Sequence, residues 1–513
     1  MEQSGQGARD VVIVGAGVAG TSVFLCLVRA LGRGNAGRMR SIRIVDPNPV
    51  GRGLAFGDTD PLLLCNSAAE VNSLLADEPA DFVAYLRARG LPGEPRDCVP
   101  RVRMAEYCRD RFDTARKTAE ALGVEVAHVP AAVDSITAGT VRLSTGQELR
   151  ADAVVVCTGV HRPRVPDGFA AFTGHPRYSP APYPAARLLD PETGPPPGAE
   201  VLVLGCRQSA IDASLLLCRD GHRVTMTSPS GVLPAVRVSL GAPVREFPSL
   251  ERVARLDPAD PLLEEKVRRA AVEAVRSLDR TPLRRQTSSA TDPVARLREE
   301  TALVEADACA WPGAVMAMME AVIELGARLP AARRRALLER HGWFIARYAT
   351  AMTVVNARLL LAHIDSGALR LARAYPRAVA YEAGAWRVEW PAPGEPDHFG
   401  PGRFGPGRFD HVVNATGFDQ PRLYWSADGT ALHPAEPPRH SGTVDFLAAD
   451  LRVRRSPGAG PEPVWVVGVG THVRIPFSNH LRNVVRQARR VAEEVSGAAD
   501  GGEGAAVARG TAV

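Results

Sequence analysis

Lysine is almost missing from this chain. Of 62 basic residues only Lys117 and Lys266 are lysines, so nearly all positive charge is arginine. A net charge of +5 over 513 residues, with no dense basic block, excludes a nucleic-acid binder and favours acidic ligands only mildly. The eight cysteines never form C-x-x-C, which excludes a zinc ribbon and a disulfide framework. No close cysteine pair follows the first glycine-rich loop, which argues against a reductase working through a dithiol. No apolar run reaches the roughly 20 residues of a membrane span, and Met1 opens no charged-then-apolar leader. A soluble cytoplasmic protein with no membrane partner is expected. His161, His175, His472 and His480 stand at no metal-ligand spacing, so no metal is expected and surface or packing roles are assigned to them. Abundant Ala, Arg, Gly and Pro match a GC-rich bacterial genome, which concerns coding and not function.

What is present is a repeated order of strands and glycines. Residues 11 to 46 read strand (V-V-I-V), loop (G-A-G-V-A-G), helix and strand (I-R-I-V-D). From about 125 to 157 short strands, E-V-A-H-V and V-R-L-S-T among them, read as a β-meander leading into A-V-V-V-C-T-G. A proline-rich boundary, Pro191 to Gly198, follows. Strand, glycine and helix then recur from Val201 to Cys218, with a further strand at V-T-M-T. Residues 250–365 carry Ala, Leu, Arg and Glu at helical spacing and read as a helical insertion. Strands near 368–390 lead to V-V-N-A-T-G-F, Val412 to Phe418, and V-W-V-V-G-V-G precedes a last helix from about Asn479 to Val495. The doubled F-G-P-G-R-F before Val412 reads as a lengthened mobile loop, and the tail from Gly497 as disordered.

Gly15, Gly17 and Gly20 satisfy G-x-G-x-x-G between a strand and a helix. The first makes the turn, the second admits a pyrophosphate to the backbone, and the third lets helix and strand pack. Asp46 ends the second strand, 46 − 20 = 26 residues past the third glycine, where a carboxylate can accept from ribose hydroxyls. The competing reading is a glycine-rich turn in an ordinary α/β domain. Thr158–Gly159 and Thr416–Gly417 end apolar strands, where the chain can turn sharply beside a cofactor. The fold expected is α/β, with two nested Rossmann-like dinucleotide-binding domains of three-layer ββα type and a helical insertion. Residues 1–190 and 410–496 are assigned to the first domain, 199–249 and 366–409 to the second. Residues 250–365 form the insertion, shaping the substrate pocket, and 497–513 the tail.

Two stretches add a resemblance. G-R-G-L-A-F-G-D-T-D-P-L-L-L-C-N-S, Gly51 to Ser67, and P-R-V-R-M-A-E-Y, Pro100 to Tyr107, together with the glycine loop, closely resemble the FAD/NAD(P)-binding family with G-x-G-x-A-Y, L-L-N and P-R-x-x-x-x-x-Y motifs. That family is related to class B flavin monooxygenases and N-hydroxylases. The resemblance implies FAD in the first domain, with Arg52, Gly53, Asn66 and Arg101 near it. It also implies adenine contacts from the meander backbone at Val133, and a last helix aimed at the flavin behind Gly468 and Gly470. The bland readings are a surface ion pair for Arg101, a turn cap for Asn66 and plain core for Val133.

In the second loop Gly205 makes the turn, and Ala210 is small enough for the third position. Gln208, Ser209 and Ala210 match the G-x-G-Q-S-A form of flavin N-hydroxylases, but Arg207 replaces the second glycine. Its guanidinium must leave the groove or meet the pyrophosphate. Ser228 and Ser230 follow the next strand with no acid for a 2′-hydroxyl, which favours NADPH over NADH. The alternative is a domain that keeps the fold and binds no nucleotide. The expected function is an FAD-dependent, NADPH-using monooxygenase that hydroxylates a small molecule with molecular oxygen, at the nitrogen of an amine or amino acid, in bacterial secondary metabolism. The catalytic side chains are unknown, since the cofactor performs the hard step; a homo-oligomer is compatible. The Baeyer–Villiger pattern F-x-G-x-x-x-H-x-x-x-W is broken, because Tyr178 and Pro182 follow Phe172 and Gly174 in place of its His and Trp. Other readings are a heteroaromatic-ring hydroxylase of urate type, a flavin dehydrogenase, and an FAD-binding partner protein with an inert second domain. Arg333 to Arg335 read as a solvated helix face. Trp343, Arg347 and Tyr348 read as core packing, or as pocket lining.

Overall fold

Val11 to Val14 have no outlet to water on either side, so the strand they form must lie in the middle of a sheet covered on both faces. That strand, Arg9–Val14, is the centre of the first sheet. Pro461–Val466, Ala153–Val156, Arg9–Val14, Met39–Val45 and Glu125–Val129 run parallel in that order, and an antiparallel ribbon, Phe446–Leu447 with Arg452–Arg454, closes one edge. The computed structural model describes residues 8–35, 38–241, 246–278, 282–391 and 407–497.

Strand periodicity sorts the neighbours. Val11 and Ile13 face helices Val18–Ala30, Arg101–Ala121 and Leu481–Ser496. Val12 and Val14 face a six-stranded antiparallel sheet, in which Val133–Thr137, Thr140–Leu143 and Glu148–Arg150 continue into Leu432–His433, Tyr424–Ser426 and His440–Thr443. Glu125–Val129 differs from its sequence reading: it pairs parallel with Met39–Val45 and is no part of the meander, which starts at Val133. A five-residue strand carries nothing local that distinguishes the two sites.

The second sheet repeats the plan. Leu369–Ala372, Arg223–Thr227, Glu200–Leu204, His411–Asn414 and Tyr178–Ser179 run parallel, with helix Gln208–Arg219 on one face. On the other lies the antiparallel set Ala378–Glu382, Ala385–Glu389, Gly407–Phe409. The boundaries move accordingly. His411–Asn414, expected in the first domain, lies beside Glu200–Leu204, because all four of its residues are buried between two layers. Tyr178–Ser179 joins the same sheet, and Phe172 and Tyr178 pack around Trp386.

The insertion also divides. Pro248–Ala254, Leu263–Ser277 and Trp311–Arg328 share a core of their own. Pro293–Glu305 and Val354–Asp365 pack instead against the second sheet's helix side, and the latter leads straight into Leu369–Ala372. The arginine triplet is not a solvated face. Arg334 is buried and donates to the carbonyls of Gly326, Leu329 and Val473, while Arg333 donates to those of Pro258 and Asp260. Residues 392–406 of the doubled loop and 498–513 of the tail lie outside the described residues. No helix among the described residues is long and apolar enough to cross a membrane.

Candidate functional site

The two glycine loops are built alike, atom for atom at the turn. Gly15 has φ +104° and Gly205 φ +123°, which L side chains rarely adopt. A Cβ on Gly15 would lie 2.7 Å from the Cys157 carbonyl oxygen, and one on Gly205 would lie 2.6 Å from that of Ala415. Gly15 N–H donates to Val45 at 2.8 Å and Gly205 N–H to Thr227 at 2.6 Å. Residues 15, 17, 20, 46 and 157–159 thus correspond to 205, 207, 210, 228 and 415–417.

Thr158–Gly159 and Thr416–Gly417 occupy matching strand ends, and both mark where the chain crosses between domains. Arg164 N–H donates to the Gly417 carbonyl at 3.0 Å, Asp419 N–H donates to Arg162, and Pro163 bridges Phe418. The outgoing and returning segments therefore run side by side as a double linker. Asn414 holds the return: its Oδ1 accepts from the Thr416 N–H and hydroxyl, and its amide donates to the Arg164 and Pro180 carbonyls.

In the first loop, a Cβ on Gly20 would meet the Gly15 carbonyl oxygen at 1.9 Å, so the helix can seat only on glycine. Gly17 is different. Its φ of −70° suits any residue, and a Cβ there would approach only Gly53, at 4.0 Å. What Gly17 preserves is open space, the property a pyrophosphate requires. Arg52 beside it is exposed and makes no ion pair among the described residues. Asp46 is half-buried; it accepts from Ala16 N–H at 2.8 Å and from Asn48, bracing the loop with lone pairs to spare for a ribose. Thr158 and Gly470 line one small cavity of about 20 Å³ at the strand ends. Val133 is buried core between the sheets.

Arg101 is not a surface ion pair. It is 11% exposed at its side chain and donates to the Leu64 carbonyl and, at 2.6 Å, to Asp212 of the second domain's helix. Tyr183 O–H and the Gln208 amide also donate to Asp212, and the Arg101 guanidinium lies 5.5 Å from the Tyr183 ring centre. Burial opposes the charge on Arg101, but Asp212 outweighs it and holds the guanidinium well above its usual pKa. Sequence order gave no sign of this cluster, whose members are up to 111 residues apart.

Arg207 caps its helix with φ −101° and ψ −170°, the same backbone region as Gly17, which is why arginine is tolerated there. Its side chain is exposed and makes no hydrogen bond or ion pair among the described residues. Ser228 stands where Asp46 stands in the first domain. Its hydroxyl accepts from Gly231 N–H, and that of Ser230 accepts from Val232 N–H. Arg373 packs on Gly231, bringing a cation to this strand end. It lines a cavity of about 60 Å³ with Gly231, Arg296 and Arg347. Arg347 itself is buried and ion-paired with Glu300, while Trp343 is exposed and Tyr348 packs against Trp311.

The helix Leu481–Ser496 carries His480, Asn483 and Gln487 on one face at its start. His480 Nδ1, Asn483 Nδ2 and Gln487 Nε2 are buried without partners among the described residues, while Gln487 Oε1 accepts from Gly468 N–H at 2.9 Å. Burial, then the charges of Arg482, Arg486 and Arg237, push His480 down to about 4, so it is neutral at pH 7. Asn66 Oδ1 and Gln208 Oε1 are likewise unpartnered. Orphaned donors at a helix N-terminus, together with an open glycine cradle, fit the pyrimidine edge and pyrophosphate of FAD. His161 and His472 hold local carbonyls, and His175 packs on Tyr381.

Residues 12–161 match the model of the family described as FAD-NAD(P)-binding. No curated protein matches the chain in sequence. Among solved structures, the L-lysine 6-monooxygenase of Pseudomonas syringae is similar over 96% of this chain and 99% of its own, at 18% identity and a TM-score of 0.55. An ornithine N-hydroxylase of Kutzneria sp. 744, in a structure with reduced FAD, NADP+ and L-ornithine, is similar over 96% and 100%, at 16% identity and TM-score 0.54. The ornithine hydroxylase of Pseudomonas aeruginosa is similar over 96% and 99%, at 13% and 0.53. These likenesses show the fold, two nested dinucleotide-binding units, over nearly the whole chain.

Proposed function

We propose that the chain is an FAD-dependent, NADPH-using monooxygenase that hydroxylates the nitrogen of a small amine. The observation that carries this reading is the duplicated glycine turn, each copy opening at the carboxyl end of its own sheet and the two joined by one double linker. Two dinucleotide-binding turns in one chain suit a hydride passed from one cofactor to the other. Bound FAD supplies the two-electron redox chemistry and the reaction with oxygen that no side chain here can supply.

The chain's own residues bind and orient. Gly17 and Gly53 leave room for the FAD pyrophosphate, Asp46 holds the loop and faces the ribose, and the start of Leu481–Ser496 offers donors to the flavin edge. Ser228 and Arg373 are proposed at the NADPH 2′-phosphate, with Arg207 at its pyrophosphate. Overall, an amine, O2, NADPH and a proton give a hydroxylamine, water and NADP+; the cytoplasm supplies the NADPH. The similarity to lysine and ornithine hydroxylases supports an amine substrate.

The purified protein is expected to be yellow with about one FAD per chain, and NADPH should bleach it without oxygen. Hydroxylamine should then form from an amine panel in air, with peroxide measured separately. A colourless protein that cannot be reconstituted would sink the reading. Failure of NADPH to bleach bound flavin would make the second domain inert, and peroxide without hydroxylamine would make the protein an oxidase.

A further inference from the structure

The two stretches that resemble a flavin site also reach the second domain. Arg101 opens the first-domain helix Arg101–Ala121 and donates to Asp212 at 2.6 Å. Asp60, within Gly51–Ser67, accepts from Arg219 at 2.7 Å, and Asp58 accepts from the Ala185 N–H at 2.7 Å. Between these polar contacts Leu63, Ala185 and Leu216 form one buried apolar cluster. Asp212, Leu216 and Arg219 recur at intervals of four and three, so a single face of the helix Gln208–Arg219 meets the first domain. That helix begins at the second glycine loop, with Asp212 less than two turns from Arg207. A tilt of the helix against the first domain would carry the loop with it.

The apolar cluster and the ion pair act differently. Burial of Leu63 with Leu216 favours contact over a range of angles, since the hydrophobic effect has no direction. The Asp212 carboxylate is 1% exposed and takes three donors: Arg101 from the first domain, Tyr183 from the segment leading into the second sheet, and Gln208 from its own helix. Charge-assisted hydrogen bonds are short and directional, so all three donors reach it in one relative placement of those parts. A buried ion pair adds little net stability over apolar side chains of like volume; what it specifies is register.

We propose that Asp212 is a positioning residue: by engaging Arg101 and Tyr183 it holds the second glycine loop, and the nucleotide on it, at a fixed orientation to the first domain for hydride transfer. This rests on the function proposed above, in which a hydride passes from NADPH to FAD and leaves NADP+ and reduced flavin. Such a transfer needs the reacting atoms about 3–3.5 Å apart, and a misplacement of about 1 Å can cost about 100-fold in rate. Asp212 acts through the helix and touches neither cofactor.

The main test variant replaces the pair by apolar residues, Arg101→Met with Asp212→Leu, which strands no buried charge. Tyr183→Phe removes one donor and keeps the ring. The FAD-loaded proteins are mixed with NADPH without oxygen, and the bleaching rate is followed against NADPH concentration. The double variant is expected to retain FAD and to keep its Kd for NADPH within about threefold, while its limiting bleaching rate falls about tenfold or more. Tyr183→Phe should lower the limiting rate by a smaller factor. Independently of NADPH, spin labels on Thr118→Cys and Ser366→Cys, exposed sites of the first and second domains, should give one narrow distance that broadens in the double variant. The proposal is overturned if the limiting rate holds in the double variant, if the loss lies in Kd alone, or if the distance stays narrow. Loss of FAD from the double variant would assign Arg101 to the cofactor and overturn it as well. Should the double variant fail to fold, the same readings on Tyr183→Phe decide. A wild type that NADPH does not bleach marks failure of the parent reading, whereas the label distance still decides whether Asp212 fixes the orientation.

Discussion

At position 207 an arginine stands where the first domain has glycine, and the backbone there is indifferent to the difference. The negative φ of both residues shows that the second glycine of such a loop is kept for room and not for conformation. Because the guanidinium is exposed, its contact with a phosphate is screened by solvent. Arg207→Ala should weaken NADPH binding severalfold, about 1 kcal/mol. The loss should shrink at high salt and leave FAD content unchanged; titration of anaerobic bleaching against NADPH measures it, and a salt-independent effect would contradict a phosphate contact. Asp212 is the opposite case. It is buried and takes three donors, so Asp212→Ala strands Arg101 without a counter-charge and should cost about 3–5 kcal/mol in denaturant melts.

Helix Ala331–Arg340 shows how an element misleads when only its charges are read. Three arginines in a row suggest a wet face, yet the helical period turns Arg334 inward while Arg335 stays exposed. Arg334 ties the insertion to the Val473 carbonyl of the first domain, and burial lowers its pKa. Arg334→Ala should destabilise the protein by about 1–3 kcal/mol. Arg335→Ala should change stability by no more than about 0.5 kcal/mol. Equal effects in the two would refute the assignment of this helix face. The same logic applies to Glu125–Val129, whose alternation suits a meander as well as a parallel edge; only its pairing with Met39–Val45 distinguishes them.

Across the whole molecule, stability should depend on two imidazoles held neutral by desolvation. His411, buried in the second sheet beside its edge strand and bonded to Ser179 at 2.8 Å, is pushed down to about 4, chiefly by burial and then by the charge of Arg177. His480 is pushed to the same value. In the unfolded chain both return to about 6.5, so between these values the unfolded state binds more protons than the folded one. Stability should therefore be full above about pH 6.5 and fall as the pH drops toward 4. Unfolding should take up as many as two protons in that window. Ser179→Ala should leave the trend in place, whereas His411→Gln should reduce its slope. A flat stability curve from pH 4 to 7 would contradict the buried neutral state of both rings.

Read by itself, the sequence determined the two strand–glycine–helix units, the T-G turns, the three-layer plan and the class of ligand. These follow from local requirements: a glycine where φ must be positive, small residues where helix meets strand, and apolar runs where both faces are covered. It also marked Arg101 and Asn66, but through a resemblance and not through any contact it could specify. Tertiary structure alone decided which sheet His411–Asn414 joins, and that the helices at 293–305 and 354–365 serve the second sheet. It alone paired Arg101 with Asp212. The physical reason is range. Backbone conformation and burial period are set within a few residues, whereas the partner of a buried charge is set by which distant segments the folded chain brings together.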